Sequence, residues 1–237
     1  MNRFTEKQRP KAGEYIDIHT HSGVSDKWCI KSCIWGTEKP VESPCSIGVH
    51  PWCISSGWED DIARMHSYIK GASGSTVVAI GEIGLDLGCR TDYLLQQKVF
   101  RAQLDMAEEL EIPVVLHCVK SFQDILAEIK TRPAIPSWIF HWYSGSEEIA
   151  SQLLKYPCYF SFGKDIVQKH IKRCRVLKSV PKDRIFFETD DWEGSIEDVY
   201  HAASEMLDTP VSDLLRQISI NLKQALHPHD LRGSSSQ

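Results

Sequence analysis

The chain has 237 residues, of which 42% are hydrophobic and 25% charged, a globular composition that allows a sizeable core in one large domain or two small ones. Its net charge of −5 excludes a molecule that is basic throughout, so local charge or a metal ion has to attract any anionic substrate. No apolar stretch approaches the ~20 residues of a membrane span, and the polar N-terminus lacks the apolar region of a signal peptide. We therefore expect a cytoplasmic protein that does not bind membranes.

Short apolar runs alternate with amphipathic stretches along the chain. The predicted strands cover residues 15–19, 29–35, 45–49, 77–82, 113–117, 137–141, 158–162 and 184–188. Helices are predicted at 92–110, 121–130, 147–156, 166–179, 195–207 and 210–226. This alternation predicts parallel pairing, and eight strands fit an α/β fold of the (β/α)8 TIM-barrel class. An open doubly wound sheet is the alternative, but it favours a glycine-rich phosphate loop after the first strand, which this chain lacks.

The barrel is expected to be slightly trimmed between the second and third strands. Only about ten residues separate them, which is too few for a crossover helix of ordinary length. We assign residues 14–228 to a single domain and residues 1–13 and 229–237 to disordered tails. The eight cysteines include no C-x-x-C pair, so buried reduced thiols are expected rather than a structural zinc site.

Metal-type ligands stand at the ends of several predicted strands. His19 and His21 end the first strand, and residues two apart in a strand project on the same side. The other candidates are Glu82, His117, His141 and Asp190. In a barrel these strand ends share one mouth, and so many buried imidazoles and carboxylates are costly without metal ions. Because six ligands exceed the needs of one tetrahedral ion, the sequence predicts a two-metal site bridged by Glu82.

Each of these residues, taken alone, has an ordinary structural explanation. A histidine at a strand end is often a hydrogen-bonded core residue, and a carboxylate there often caps a helix. His50 ends a further strand and either contacts a substrate oxyanion or stabilises a turn. Asp86 either orients a ligand or caps the next helix. The remaining histidines are expected at the surface: His66, His170, His201, His227 and His229.

The segments IDIHTH, GVHPW, AIGEIGLD, PVVLHCVKSF, FHWYSGS, YFSFGKDI and FFETD, in this order, resemble the TatD family of metal-dependent hydrolases over residues 14–226. The resemblance implies a (β/α)8 barrel, two divalent ions and phosphodiester hydrolysis, usually described as deoxyribonuclease activity. It also implies the distribution of ligands: His19, His21 and Asp190 on one ion, His117 and His141 on the other, and Glu82 on both. His50 is similar to the family histidine that lies near the substrate.

The chain departs from the family pattern in its substrate-facing loops. The segment between His21 and Gly48 is short, and Val119-Lys120 replace an Arg-Asp pair. Asp191-Trp192-Glu193-Gly194 replace an Ala-Pro-Tyr-Leu run with a nearby arginine, which adds negative charge beside the metals. We therefore interpret the chain as a short, divergent branch of the family. It retains the metal ligands, whereas its altered loops leave the identity of the substrate open.

The expected reaction is hydrolysis by a water activated by two divalent ions, with Zn, Mg or Mn as suitable ions. Asp190 or a neighbouring carboxylate is expected to accept the proton, and His50 or Lys120 to balance the charge on the substrate. Trp52, Trp142 and Trp192 either stack on bases or pack at the rim.

DNA is the expected substrate, and the sequence indicates no required protein partner. The segment 164–184 carries eight Lys or Arg against two Asp, and it is either a path for the phosphate backbone or a solvated helix face. One alternative function is hydrolysis of a small-molecule amide, lactone or phosphoester by the same metal centre. The other is a binding or scaffolding protein that has lost turnover.

Overall fold

The computed structural model describes residues 9–21, 27–37 and 43–226. Most of the predicted N-terminal tail and all of the predicted C-terminal tail lie outside the described residues, as do His227 and His229. None of the described helices is both long enough and apolar enough to cross a membrane. All eight cysteines are described, and all are free thiols. The expectation that they are buried is wrong for Cys53, which is exposed, and Cys29, Cys89 and Cys174 are only partly buried.

Eight parallel strands form one sheet in chain order. They are β1 (Ile16–Thr20), β2 (Trp28–Ile34), β3 (Cys45–Gly48), β4 (Val77–Asp86), β5 (Val114–Val119), β6 (Trp138–Phe140), β7 (Cys158–Phe162) and β8 (Ile185–Phe187). Each predicted strand is confirmed, with ends that differ by a few residues. Apart from β2, nearly all strand residues are buried, and most of the strands are rich in Ile, Val and Phe, as expected for a parallel sheet covered by helices.

Backbone hydrogen bonds between β1 and the residues after β8 bring the two edges of the sheet together. The amide of His21 donates to the carbonyl of Asp190 (3.0 Å), and the amide of Asp190 donates to the carbonyl of His19 (2.9 Å). We call this contact the β1–β8 seam. The result is a nearly closed barrel, which confirms the predicted TIM-barrel class.

The helices are α1 (Trp58–Lys70), α2 (Tyr93–Leu110), α3 (Phe122–Thr131), α4 (Glu147–Leu153), α5 (Lys164–Val167), α6 (Ile171–Ser179), α7 (Ile196–Leu207) and α8 (Val211–Leu226). Ser146 caps α4, and Ser195 with Asp198 forms a capping box on α7. The prediction missed α1 altogether. It was also wrong to extend one helix over residues 166–179, because α5 ends at Val167 and Lys169 has a φ of 56°.

The described part of the β2–β3 connection, residues 35–37 and 43–44, contains a turn and no helix. This agrees with the predicted trimming of the barrel at this point. The described residues between β1 and β2, which are 21 and 27, are likewise not helical.

Candidate metal centre

The two carboxylate oxygens of Glu82, in β4, face different groups of imidazoles. Oε2 lies 3.5 Å from His19 Nε2 and 3.6 Å from His21 Nε2. Oε1 lies 2.7 Å from His117 Nδ1 and 2.9 Å from His141 Nε2. Because β4, β5 and β6 end at the same mouth as β1, strands remote in sequence place these four imidazoles around one carboxylate.

Asp190 completes this group from the other side of His19 and His21. Its Oδ1 lies 3.5 Å from Nε2 of each of these histidines. The β1–β8 seam causes this arrangement, because it pairs the backbone of Asp190 with the two residues that carry the imidazoles. The structure thus brings together all six residues predicted as ligands, and we call them the Glu82 cluster: His19, His21, Glu82, His117, His141 and Asp190.

His50 adjoins the Glu82 cluster on the Oε1 side. Its Nε2 lies 3.2 Å from Glu82 Oε1, and its Nδ1 accepts a hydrogen bond from the amide of Trp52 (3.2 Å). An accepting Nδ1 places the proton of a neutral ring on Nε2. Burial lowers the pKa of His50 despite the opposing effect of Glu82, so at neutral pH the ring presents an Nε2–H donor at the site.

Neighbouring charges lower the pKa of both carboxylates of the Glu82 cluster and raise the pKa of its most buried imidazoles, those of His19 and His141. Burial opposes ionisation of Glu82, but His141, His117 and His19 outweigh it and hold the pKa well below its usual range. Burial and His141 oppose protonation of His19, yet Asp190 and Glu82 raise its pKa to about 9. Burial also raises the energy of ionised Asp190, but its contact with His19 lowers the pKa overall.

The donor set fits divalent metal ions. His19 is fully buried, and neither of its ring nitrogens makes a hydrogen bond, a costly situation unless another partner binds there. Three groups of side chains have ligand atoms within 4.8 Å of one another: His19, His21 and Glu82; His19, His141 and Asp190; His50, Glu82 and His117. Imidazole and carboxylate ligands of this kind suit Zn and Mn, among other ions. His50 therefore stands among the residues whose position would allow ligation, which the sequence did not predict.

A second layer of carboxylates supports the ligands, and sequence reasoning missed most of it. Glu188 Oε1 accepts a hydrogen bond from the amide of Trp142 (2.6 Å) and lies 3.4 Å from His141 Nδ1. Asp17 accepts from the hydroxyl and the amide of Thr189 (2.6 and 3.1 Å), and burial raises the pKa of Asp17 to about 7. Both acids flank predicted ligands in sequence, and both point into the barrel like the ligands two residues away.

Asp86 contacts a ligand and does not cap the following helix. Its Oδ2 lies 3.1 Å from His117 Nε2, whereas the residue that caps α2 is Asp92. Of the two predictions for Asp86, the orienting role agrees with this geometry and the capping role is wrong. Gly84, two residues before, has a φ of 152°, and a Cβ atom there would lie 1.9 Å from the carbonyl of His117. The chain therefore needs glycine where β4 passes the residue that carries this imidazole.

Two buried glutamines of α2 hold the ends of β3 and β4. Gln103 accepts from the amide of Val49 (2.7 Å) and donates to its carbonyl (3.1 Å). Gln96 does the same at Asp86, with distances of 2.8 and 3.0 Å. These backbone groups lie beside the β3–β4 strand ends, so the side-chain amides fix the segments that carry His50 and Asp86. The signal available in the sequence was a pair of polar residues on the apolar face of a helix.

The Glu82 cluster opens into a cavity of about 480 Å³. His50, Trp52, Trp142 and Asp191 line it together with members of the cluster. Lys120 does not line the cavity; it is exposed, and its predicted role in substrate binding remains a prediction. Trp192 packs partly against the core.

The rim beside Trp142 is an ordered group of charges. Trp142 Nε1 donates to Asp165 Oδ2 (3.0 Å), which also accepts from Arg173 Nε (3.2 Å). Lys164 Nζ lies 4.4 Å from the centre of the Trp142 ring and 3.6 Å from Asp191 Oδ1. Lys164 of the predicted basic segment therefore contacts two residues that line the cavity, while Lys169 and Lys172 are exposed.

Comparisons with known proteins agree with this architecture. The family described as TatD related DNase matches residues 14–227. The "uncharacterized metal-dependent hydrolase YabD" of Bacillus subtilis is 35% identical over 149 residues, which are 61% of this chain and 57% of that protein. The "3'-5' ssDNA/RNA exonuclease TatD" of Dickeya dadantii is 28% identical over 173 residues, 71% of this chain and 64% of that protein. In both cases the matched part spans less than two thirds of the relative.

The fold also matches a solved structure. The crystal structure of YJJV, a TatD homolog from Escherichia coli, superimposes with a TM-score of 0.77 over 91% of this chain and 99% of that chain. The sequence identity is 19%, so this likeness establishes the barrel and not the reaction.

Proposed function

Because the chain belongs to the TatD family, we propose that it is a divalent-metal-dependent hydrolase that cleaves phosphodiester bonds in DNA. The observation that carries the proposal is the division of imidazoles between the two oxygens of Glu82, with His19 and His21 on one and His117 and His141 on the other. A carboxylate placed in this way suits a bridge between two ions.

Our assignment of ligands follows the same division. His19, His21 and Asp190 would hold one ion, and His117 and His141 the other, with Glu82 on both. His141 also lies within reach of the His19 side, since its ring stacks on His19 with centroids 4.2 Å apart. Divalent ions bound there, with Zn, Mg or Mn as the candidates, would supply an activated water and polarise a phosphoryl oxygen.

The protein's own groups then have distinct tasks. The lowered pKa of the Asp190 carboxyl favours its charged form. We therefore assign Asp190 the role of general base, which accepts the proton from the attacking water. His50 is neutral and carries its proton on Nε2, 3.2 Å from Glu82 Oε1. When Glu82 binds the ions, this N–H would be placed to donate to a phosphate oxygen at the cavity wall. Lys120 lies outside the cavity lining, which favours His50 over Lys120 for this task.

Single-stranded nucleic acid is the substrate form that we propose. The relative from Dickeya dadantii is named for activity on single-stranded DNA and RNA. In this chain Lys164 lies at the cavity rim, and Trp52 and Trp142 line the cavity, a combination of charge and aromatic surface that suits an unpaired strand. We also propose that the protein is cytoplasmic and requires no protein partner.

A substrate panel tests the proposal. The purified protein would be assayed on single-stranded DNA, RNA, bis-p-nitrophenyl phosphate, and lactone and N-acyl substrates, before and after chelation and with each metal restored. We expect cleavage of the oligonucleotides that disappears on chelation. In Glu82→Gln the rate should fall by about 100-fold or more, since the shared ligand loses its charge.

Glu109→Gln is the matched control, because Glu109 is an exposed carboxylate on α2 that pairs with Lys70 away from the cavity. It should retain the wild-type rate. Hydrolysis of only the lactone or amide substrates would replace the proposal by the small-molecule alternative. Metal-free purified protein with no turnover on any substrate would favour a binding protein, and unchanged cleavage after chelation would contradict the metal mechanism.

A further inference from the structure

The indole of Trp52 is exposed at the mouth of the Glu82 cluster. Trp52 lies on the short 3-10 turn Pro51–Cys53, two residues after His50, and lines the cavity. Its surface is 63% exposed, and it is the one aromatic residue among the large hydrophobic residues that are exposed in the described part of the chain. A large aromatic ring at the mouth of a polar site is a surface on which a flat ligand group can stack.

The ring is held in place by the protein. Trp52 Nε1 donates to Asp86 Oδ2 at 2.7 Å, the oxygen that also lies 3.1 Å from His117 Nε2. The ring contacts His50 and His117 at steep angles, with centroids 4.9 and 5.5 Å away. Because the single polar atom of the indole is already bonded, the exposed surface offers a ligand a π face and no hydrogen bond.

The other two tryptophans at the mouth are not available in the same way. Trp142 is half-buried, and Lys164 covers its ring at 4.4 Å. Trp192 is partly buried against the core. Trp52 is therefore the better-placed stacking surface of the three.

The position of Trp52 relative to Glu82 indicates what it would bind. His50 and His117 touch the Trp52 ring and also lie 3.2 and 2.7 Å from Glu82 Oε1. One layer of imidazoles thus separates the indole from the centre of the cluster, a separation on the scale of a sugar and its base. A phosphate at the cluster would place a neighbouring base beside the indole.

We propose that Trp52 stacks on the unpaired base of a nucleotide adjacent to the scissile phosphate, and that Asp86 fixes the orientation of the ring. The inference rests on the proposed nuclease function and adds a base-binding subsite to it. Stacking of this kind accepts every base, because each has a π face, but it requires a base that is free of its partner strand. Trp52 would therefore contribute to a preference for single strands without reading their sequence.

Base removal in the substrate tests the contact directly. Single-stranded oligonucleotides would each carry one abasic residue, placed in turn at the positions around the cleavage site, and kcat/KM would be measured for wild type, Trp52→Ala and Trp52→Phe. In wild type, we expect one position where loss of the base lowers kcat/KM about tenfold. In Trp52→Ala, intact oligonucleotide should already be about tenfold slower, and loss of that base should have little further effect.

Trp52→Phe should retain a measurable part of the discrimination, since it keeps an aromatic face without the bond to Asp86. Leu94→Ala is the control, because Leu94 is an exposed hydrophobic residue that does not line the cavity. If Trp52→Ala acted only by disturbing His117, it would slow every substrate equally, and loss of the base would lower kcat/KM in the variant as much as in wild type. That result would overturn the inference while the nuclease function stands. Failure of wild type to cleave any oligonucleotide would overturn the nuclease function and the subsite together.

Discussion

The carboxylate of Asp191 is an exposed negative charge on the lining of the cavity, 3.6 Å from Lys164 Nζ. It repels phosphate and competes with it for the lysine. We therefore predict that Asp191→Asn binds single-stranded DNA more tightly, by about threefold at low salt, as expected for one exposed charge. The gain should shrink as salt rises, because an exposed charge is screened. Fluorescence anisotropy with a labelled oligonucleotide at several salt concentrations measures it.

Asp213→Asn is the matched control for Asp191→Asn, since Asp213 is a partly exposed carboxylate on α8 that pairs with Arg216. It should leave the affinity unchanged. Weaker binding by Asp191→Asn would mean that this carboxylate helps to organise Lys164 for the substrate, contrary to the prediction.

At the scale of residues, the sequence predicted the first layer of the site better than its supports. The six members of the Glu82 cluster lie in or just after buried strands, so period-two alternation and the barrel topology were enough to place them at one mouth. Glu188, Asp17 and Gln103 act through backbone groups and neighbouring side chains. Nothing in local spacing specifies those partners, because they come from elements remote in sequence.

Helix α2 contributes to the site through Gln103, whose side-chain amide forms hydrogen bonds with both the backbone amide and the carbonyl of Val49. In Gln103→Leu these two buried groups would lose their partner. We predict a loss of about 2 kcal/mol or more in the free energy of unfolding, the cost of leaving buried polar groups unpaired. The same change should lower kcat, because His50 follows Val49 directly. Urea unfolding and the nuclease rate are the two measurements.

Gln123→Leu tests whether any glutamine-to-leucine change on a helix has this effect. Gln123 is exposed on α3, and its replacement should change neither stability nor rate appreciably. If Gln103→Leu unfolds at the wild-type urea concentration, the side-chain amide does not hold the end of β3.

Helices α5 and α6 begin at the end of the barrel where the Glu82 cluster lies, because they follow the carboxyl end of β7. Lys169 and Lys172 are exposed there, whereas Arg173 is engaged by Asp165. We predict that changing Lys169 and Lys172 to glutamine weakens binding to single-stranded DNA severalfold. The slope of log affinity against log salt should flatten by up to about 1.4, which corresponds to two phosphate contacts on a single strand. Binding isotherms at four or more salt concentrations measure this slope.

The double change Lys130→Gln and Lys223→Gln removes the same charge from exposed positions on α3 and α8. It should leave the salt slope as in wild type. An equal flattening in both double variants would indicate a response to net charge, and the basic segment would then be an ordinary solvated helix face.

At the scale of elements, the strands were predictable and the helices only in part. Buried β-branched and aromatic runs identified all eight strands. Helix α1 was missed because its sequence, WEDDIARMHSYIK, is polar and buries only Met65 and Ile69. The break between α5 and α6 depends on the left-handed backbone of Lys169, a residue type that gives no local signal for it.

For the whole molecule, metal binding and folding are coupled, because the Glu82 cluster forms only when strands from β1 to β8 meet. Ions that bind this cluster and not the unfolded chain stabilise the protein by mass action, by about 2.7 kcal/mol at a hundredfold excess over Kd. For a domain of this size we predict that a suitable divalent ion raises the Tm of metal-free protein by roughly 5–10 °C. The rise should largely disappear in Glu82→Gln and persist in Glu109→Gln. Scanning calorimetry measures it, and an equal rise in both variants would place the stabilising ion outside the Glu82 cluster.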